Sequence, residues 1–85
     1  MDRAQIADVV RDFLAKDAGR DPSYFDDDRS LISSGVLDSV VIMRLITFLE
    51  ETYGVEFMAW ELGVNYLDSV SLIARTVHEK LGQTA

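Results

Sequence analysis

The spacing of apolar residues constrains the fold of this chain more than any other feature. From Asp2 to about Lys16, and again from Ser39 to about Tyr53, apolar side chains recur every three or four positions. That is the period of one face of an α-helix. A further helix with the same spacing lies within residues 65–82. No segment alternates well enough to predict a strand, although residues 55–57 are a short candidate.

Polar caps and glycines mark the expected helix ends. Aspartate and serine satisfy the free N–H groups at a helix start, and glycine adopts the left-handed conformation that ends many helices. The expected start and stop residues are Asp2 and Gly19 for the first helix, Asp38 or Ser39 and Gly54 for the second, and Asp68 or Ser69 and Gly82 for the last.

These signals predict an all-α fold, a small four-helix bundle with three main helices and one short helix near Ala59–Leu62. Between the first and second helices lies a long segment without sustained period, residues 20–35. We expect it to be an ordered loop, held to the core by Tyr24, Phe25, Leu31 and Ile32. Loops of this length in compact domains are uncommon and often functional.

The second helix carries more apolar residues than one stripe can bury. The expected core stripe is Val41, Leu45, Phe48, Leu49 and either Thr52 or Tyr53. Further apolar residues widen the surface: Val40, Ile42, Met43 and Ile46. In a domain of this size some of them must be exposed, and an exposed apolar spot beside Ser39 is a candidate docking point.

Composition limits the class of protein. The 85 residues suffice for one domain, spanning 1–85, with a single modest core. The absence of cysteine excludes disulfides, thiolate metal sites and cysteine nucleophiles. A net charge of −7 disfavours nucleic-acid binding and favours proteins with basic patches as partners. No apolar run is long enough to span a membrane, and the N-terminus lacks signal-peptide features, so a cytoplasmic setting is expected.

Three segments of the chain carry a family resemblance. Residues 30–40 read Ser-Leu-Ile-Ser-Ser-Gly-Val-Leu-Asp-Ser-Val, and residues 48–57 read Phe-Leu-Glu-Glu-Thr-Tyr-Gly-Val-Glu-Phe. These residues resemble the acyl carrier protein superfamily, which has a loop ending Gly-x-Leu-Asp-Ser-Leu, followed by an apolar helix ending Leu-Glu-Glu-x-Phe-Gly-Ile. Residues 66–70, Tyr-Leu-Asp-Ser-Val, resemble the family's start of the last helix. The resemblance covers nearly the whole chain.

The resemblance implies that Ser39 carries 4′-phosphopantetheine, transferred from coenzyme A by a phosphopantetheinyl transferase that uses Mg²⁺. A serine at a helix start has an accessible hydroxyl near the positive end of the helix dipole, which suits a phosphate ester. The attached arm ends in a thiol, which this cysteine-free chain otherwise lacks. The resemblance also suggests that the transferase reads Asp38, although helix capping is an equally compatible role for it.

The expected function is therefore that of a stand-alone carrier, a monomer and not an enzyme. It would bring a thioester-linked acyl or aminoacyl group from a loading enzyme to a downstream synthase or transferase. Val40 and Met43, beside Ser39, are the expected apolar contacts for partners, and Asp38 and Arg44 are further expected partner contacts. The alternative from another class is an unmodified helical module that binds a partner protein.

Two departures from the family pattern bear on the pathway. Fatty-acid carriers usually place several acidic residues along the second helix, whereas Arg44 and Thr47 occupy that face here. Met58 and Trp60 put large apolar groups where the family often has proline and acidic residues. Burial is the default for tryptophan, and a partner surface is the other interpretation. Both departures favour a specialised polyketide, nonribosomal peptide or aminoacyl pathway over general fatty-acid synthesis.

The remaining candidates are weaker. The motif Leu-Asp-Ser-Val occurs a second time around Ser69, but no long polar loop precedes it, so we expect Ser69 to be a structural cap. The acidic run at residues 26–28 lacks the spacing of a calcium loop, and no metal site is expected. His78, the only histidine, has no cysteine or nearby serine to activate, so a catalytic role is not expected for it.

Overall fold

The structure is a computed structural model that describes residues 2–83, and within that range its regular secondary structure is helical, without strands. Its four α-helices are α1 (Arg3–Ala18), α2 (Ser39–Tyr53), α3 (Val64–Leu67) and α4 (Val70–Gln83). Two single-turn 3₁₀ segments, Pro22–Tyr24 and Ala59–Glu61, lie in the connections. The predicted all-α class and the three main helices are confirmed. No helix of the described residues is both long and apolar enough to cross a bilayer.

The short helix lies later in the chain than the sequence indicated. Residues Ala59–Glu61 form only a 3₁₀ turn, and the short α-helix is Val64–Leu67. A helix of four residues makes a single turn, whose stability comes from packing rather than from local propensity. Leu67 supplies that packing, since its side chain is fully buried.

Local capping chemistry sets the ends of α1 and α2. The side chain of Asp2 accepts a hydrogen bond from the Gln5 N–H at 2.8 Å, and the Asp2 N–H donates to Oε1 of Gln5 at 3.1 Å. Helices α1 and α2 both end at glycines in the left-handed conformation, Gly19 and Gly54, each with φ +67°. The predicted bounds of α2 are therefore confirmed.

The core joins α1, α2 and α4 to the long loop. The largest fully buried side chains are Phe25, Ile6, Leu14, Leu31, Leu45, Leu49, Leu67, Ile73, Val10, Val70 and Val77. In α2 the predicted stripe faces the core, with Leu45 and Leu49 buried and Val41 and Phe48 half-buried against it. Ile46, which the prediction left outside the stripe, is buried as well. Contacts of α2 with both α1 and α4 explain this, since two neighbours cover a wider face than one stripe.

Contacts from α1 and α4 hold the long loop in place. The Nε of Arg11 donates to the Phe25 carbonyl at 2.8 Å, and the same guanidinium pairs with Asp27. The Ser71 N–H, in the first turn of α4, donates to the Asp27 carbonyl at 3.0 Å. Phe25 and Leu31 are fully buried, as predicted for an ordered loop. These contacts fix the conformation of the loop that leads to the start of α2.

Candidate functional site: the start of helix α2

Ser39 is the first residue of α2, directly after the residue that caps the helix. The backbone of Asp38 is extended, and its carboxylate accepts a hydrogen bond from the Val41 N–H at 2.9 Å. The Asp38 carbonyl accepts from the Ile42 N–H, also at 2.9 Å. Because Asp38 performs the capping, the Ser39 hydroxyl is not needed for it. The Ser39 side chain is exposed, and its hydroxyl makes no hydrogen bond within residues 2–83.

The same helix start leaves backbone donors free. The N–H groups of Ser39 and Val40 have no hydrogen-bond partner in the described part of the chain. Free N–H groups and the helix dipole together favour an anion at such an end. The donor set thus fits a phosphodiester on the neighbouring serine oxygen.

Ser69, in the second copy of the motif, has a different environment. It is 9% exposed, and its hydroxyl oxygen accepts a hydrogen bond from the Leu72 N–H at 3.1 Å. Ser69 is therefore the cap of α4, as the sequence indicated. In the first copy the aspartate caps the helix and leaves the serine free, whereas in the second copy the serine caps the helix.

Two apolar side chains lie exposed beside Ser39. Val40 is 59% exposed and Met43 is 57% exposed. Met43 lies one turn after Ser39 on the same side of the helix. We call Ser39, Val40, Met43 and Arg44 together the α2 face. The predicted exposure of an apolar spot next to the serine is confirmed.

The single charge on the first three turns of α2 is compensated by α1. Between Ser39 and Leu49 the only charged residue is Arg44. Its Nε and Nη2 donate to the two carboxylate oxygens of Asp17 at 2.9 and 3.0 Å. The hydrogen bond to Asp17, and next its negative charge, raise the pKa of Arg44. The α2 face is therefore apolar and close to neutral, although the whole chain carries a charge of −7.

A second exposed apolar patch follows the other end of α2. Met58 is 45% exposed, Trp60 is 68% exposed and Val64 is 45% exposed. Of the two interpretations left open for Trp60, burial is therefore excluded, and the side chain lies on the surface. Its ring packs edge-on against Tyr66, with centroids 5.5 Å apart. The segment starts next to the last turn of α2, where Glu50 accepts a hydrogen bond from the Phe57 N–H at 3.0 Å.

A buried ion pair anchors this patch to α4. Glu61, buried in the 3₁₀ turn, accepts hydrogen bonds from the Met58 N–H at 2.8 Å and from Lys80 Nζ at 2.7 Å. Burial acts to raise the pKa of Glu61, but the two hydrogen bonds and the charge of Lys80 outweigh it, so the pKa is lowered. The carboxylate remains charged at neutral pH.

Sequence reasoning assigned Asp68 only a possible capping role, whereas its side chain contacts the loop before Ser39. Its carboxylate accepts hydrogen bonds from the backbone N–H groups of Leu31, Ile32 and Ser33. These partners lie 35 to 37 positions away in the chain. The repeated Asp-Ser pair was the only sequence signal that pointed to Asp68. The local pattern does not reveal which residue of such a pair caps the helix and which contacts another part of the chain.

Comparison with known proteins identifies the family. A family model described as a phosphopantetheine attachment site matches residues 8–77. A comparison with curated proteins gives no match. The matched range contains the whole of α2, the loop before it and most of α4. The chain therefore belongs to the phosphopantetheine-binding carrier family, whose members bear 4′-phosphopantetheine as a prosthetic group and act as carriers rather than as catalysts.

Proposed function

We propose that this protein carries 4′-phosphopantetheine on the oxygen of Ser39 and presents a thioester-linked acyl or aminoacyl group to partner enzymes. The observation that carries the proposal is the contrast between the two Asp-Ser pairs. The Ser39 hydroxyl is exposed and without a partner in the described residues, whereas Ser69 is buried and accepts a backbone hydrogen bond. An enzyme that transfers a group to a serine needs the accessible one.

The residues around Ser39 suit the modified protein, with a phosphodiester on the serine, as well as the unmodified one. A phosphodiester on the serine oxygen would be stabilised by the free N–H groups of Ser39 and Val40 and by the positive end of the helix dipole. When bound, the group supplies a terminal thiol to which the carried group is joined as a thioester. The protein itself contributes the anchoring oxygen, the anion-stabilising helix start and the surface that partner enzymes contact.

The α2 face is the proposed contact surface for those enzymes. Val40 and Met43 offer exposed apolar area next to the attachment point, and Arg44 offers the N–H groups that Asp17 does not use. Asp38 is proposed as a further contact for the phosphopantetheinyl transferase, since its carboxylate is exposed beside Ser39. Carriers must be released between steps, so weak contacts of modest area suit this role.

The charge on the α2 face supports a dedicated pathway. General fatty-acid carriers resemble this chain but carry an acidic second helix, whereas here the first three turns carry only Arg44. An enzyme with a basic docking site would gain little from this face. We therefore assign the protein to a specialised polyketide, nonribosomal peptide or aminoacyl pathway with its own loading enzyme and synthase.

Intact mass after enzymatic modification tests the attachment site. The purified protein is incubated with coenzyme A, Mg²⁺ and a broad-specificity phosphopantetheinyl transferase. We expect one phosphopantetheine on the wild-type protein, none on Ser39→Ala and one on Ser69→Ala. Modification of Ser39→Ala would contradict the assignment.

The same experiment separates the carrier from the alternative function. A wild-type protein that stays unmodified, while a control carrier is fully converted, would support an unmodified helical module that binds a partner through its exposed apolar surface. The patch around Trp60 is the observation that favours such a module, because single-domain proteins seldom expose large apolar groups in a cluster.

A further inference from the structure

The carboxylate of Asp68 gathers more hydrogen bonds than the other acidic groups in the described residues. Its Oδ1 accepts from the N–H groups of Leu31, Ile32 and Ser33 at 3.2, 2.8 and 2.9 Å. The hydroxyls of Ser30 and Ser33 donate to Oδ1 at 3.2 Å and to Oδ2 at 3.0 Å. The Asp68 carbonyl also accepts from the Leu31 N–H at 2.7 Å. One residue at the start of α4 therefore binds four successive residues of the long loop.

These bonds have no substitute within the described part of the chain. The N–H groups of Ile32 and Ser33 have no partner other than this carboxylate. Successive N–H groups that point at one oxygen form an anion-binding concavity, and hydrogen bonds to an ionised acceptor are stronger than neutral ones. The hydrogen bond from the Ser33 N–H, ahead of an opposing effect of burial, lowers the pKa of Asp68. The acceptor is charged at neutral pH.

The loop segment that Asp68 holds is tied directly to the chain before Ser39. The Leu37 N–H donates to the Leu31 carbonyl at 2.9 Å, and the Gly35 N–H donates to the Ile32 carbonyl at 3.0 Å. The side chains of Leu31 and Leu37 are both buried. Leu37 is followed at once by the capping aspartate and then by Ser39. Hydrogen bonds thus connect Asp68 to Leu31 and Leu31 to Leu37, and the covalent chain continues from Leu37 to the start of α2.

We propose that Asp68 is a positioning residue for the attachment serine, acting through the loop 30–37 to hold Ser39 in the conformation that the transferase binds. This inference rests on the proposed attachment of phosphopantetheine to Ser39. Asp68 touches neither the phosphate nor the reacting oxygen in this role. Without the Asp68 carboxylate the loop adopts several conformations, and the transferase binds only a fraction of them. The apparent affinity for the transferase falls in proportion to that fraction, whereas the rate once bound is unchanged.

The test compares Asp68→Ala with its neighbour Ser69→Ala. Ser69→Ala removes the α4 cap, which is a destabilising change at the same junction without a hydrogen bond to the loop. Initial rates of modification by the phosphopantetheinyl transferase, with coenzyme A and Mg²⁺, are measured against the concentration of apo-protein. The temperature is one at which far-UV circular dichroism shows both variants folded. For Asp68→Ala we expect KM to rise at least tenfold with kcat within threefold of wild type. For Ser69→Ala we expect both to stay within twofold.

Amide hydrogen exchange provides a readout that does not depend on the transferase. In Asp68→Ala the amides of residues 31–37 should exchange at least tenfold faster, while those in the middle of α1 and α2 keep their protection. If Asp68→Ala does not fold, Asp68→Asn replaces it, since the amide keeps one oxygen acceptor but loses the charge. For that variant a rise in KM of at least threefold is expected.

The outcomes separate the two proposals. Equal kinetics for the Asp68 and Ser69 variants, or a fall in kcat alone, would overturn the positioning role while leaving the attachment site in place. A wild-type protein that the transferase does not modify would remove the proposed function, and the role of Asp68 with it.

Discussion

Replacing Val40 by aspartate tests whether this residue contributes to partner binding or to the stability of the core. Val40 is the second residue of α2 and 59% exposed, so less than half of its surface contributes to folding. Fully burying such a side chain is worth about 1.5–3 kcal/mol, so the loss here is about 1 kcal/mol. An acidic residue in the first turn of a helix returns about 0.3–1 kcal/mol. We therefore expect the free energy of unfolding to change by less than about 1 kcal/mol.

The effect on partner binding should be much larger. A carboxylate at this position puts a charge into an apolar contact, and it lies beside the serine that receives a phosphate. We expect kcat/KM for phosphopantetheine transfer to fall about tenfold, which corresponds to about 1.4 kcal/mol of transition-state binding. Met43→Asp should behave similarly in transfer but lose about 1 kcal/mol of stability, since aspartate is a poor residue for a helix interior.

Urea unfolding followed by far-UV circular dichroism checks the stability, and intact mass against time checks the transfer. Ile46→Ala is the matched core control on the same helix, because Ile46 is 6% exposed. It should lose about 2–5 kcal/mol. A loss above about 2 kcal/mol in Val40→Asp would show that the residue belongs to the core and would refute the reasoning. Unchanged transfer in a folded Val40→Asp variant would refute the docking role.

Three further predictions concern stability. Lys80→Met should destabilise the protein by about 3 kcal/mol, because the buried Glu61 carboxylate loses its ion-pair partner. Urea unfolding at pH 7 measures this loss, and Glu79→Gln, at an exposed position on the same helix, is the control. Tyr53→Phe should stabilise it by up to about 1 kcal/mol, since the enclosed Tyr53 hydroxyl has no hydrogen-bond partner in the described residues, and a loss of more than about 1 kcal/mol would contradict this. Hydrogen bonds lower the pKa of Asp68 and Glu61 in the folded protein. The two ionised carboxylates therefore stabilise the fold fully above the ordinary carboxyl pKa, and this stabilisation is lost as the pH falls through the lowered pKa values. The urea midpoint of the wild type should therefore drop more steeply below about pH 4 than that of Asp68→Ala; parallel curves would argue against the ionised acceptor.

The parts of the fold set by local chemistry were predictable from the sequence. The bounds of α2 follow from Asp38 and Gly54, because a cap and a left-handed stop act within one turn of the helix. The exposed position of Ser39 follows from the same cap. The excess of apolar residues on α2 predicted an exposed spot, and Val40 and Met43 form it.

The parts set by tertiary contacts were not predictable. The place of α3 depends on the packing of Leu67, and a single helical turn has no periodicity to detect. The burial of Ile46 depends on two neighbouring helices at once. The contacts of Asp68 join residues more than thirty positions apart, and the local sequence pattern does not reveal which way this acidic side chain points.

The exposure of Trp60 has a practical consequence. It is the only tryptophan in the chain, and its indole already faces water in the folded protein. Its fluorescence emission should therefore shift little on unfolding, which makes it an insensitive reporter of the folding transition. The same indole should respond strongly to any protein that covers the surface around α3, so steady-state emission offers a label-free titration of partners against the intact carrier.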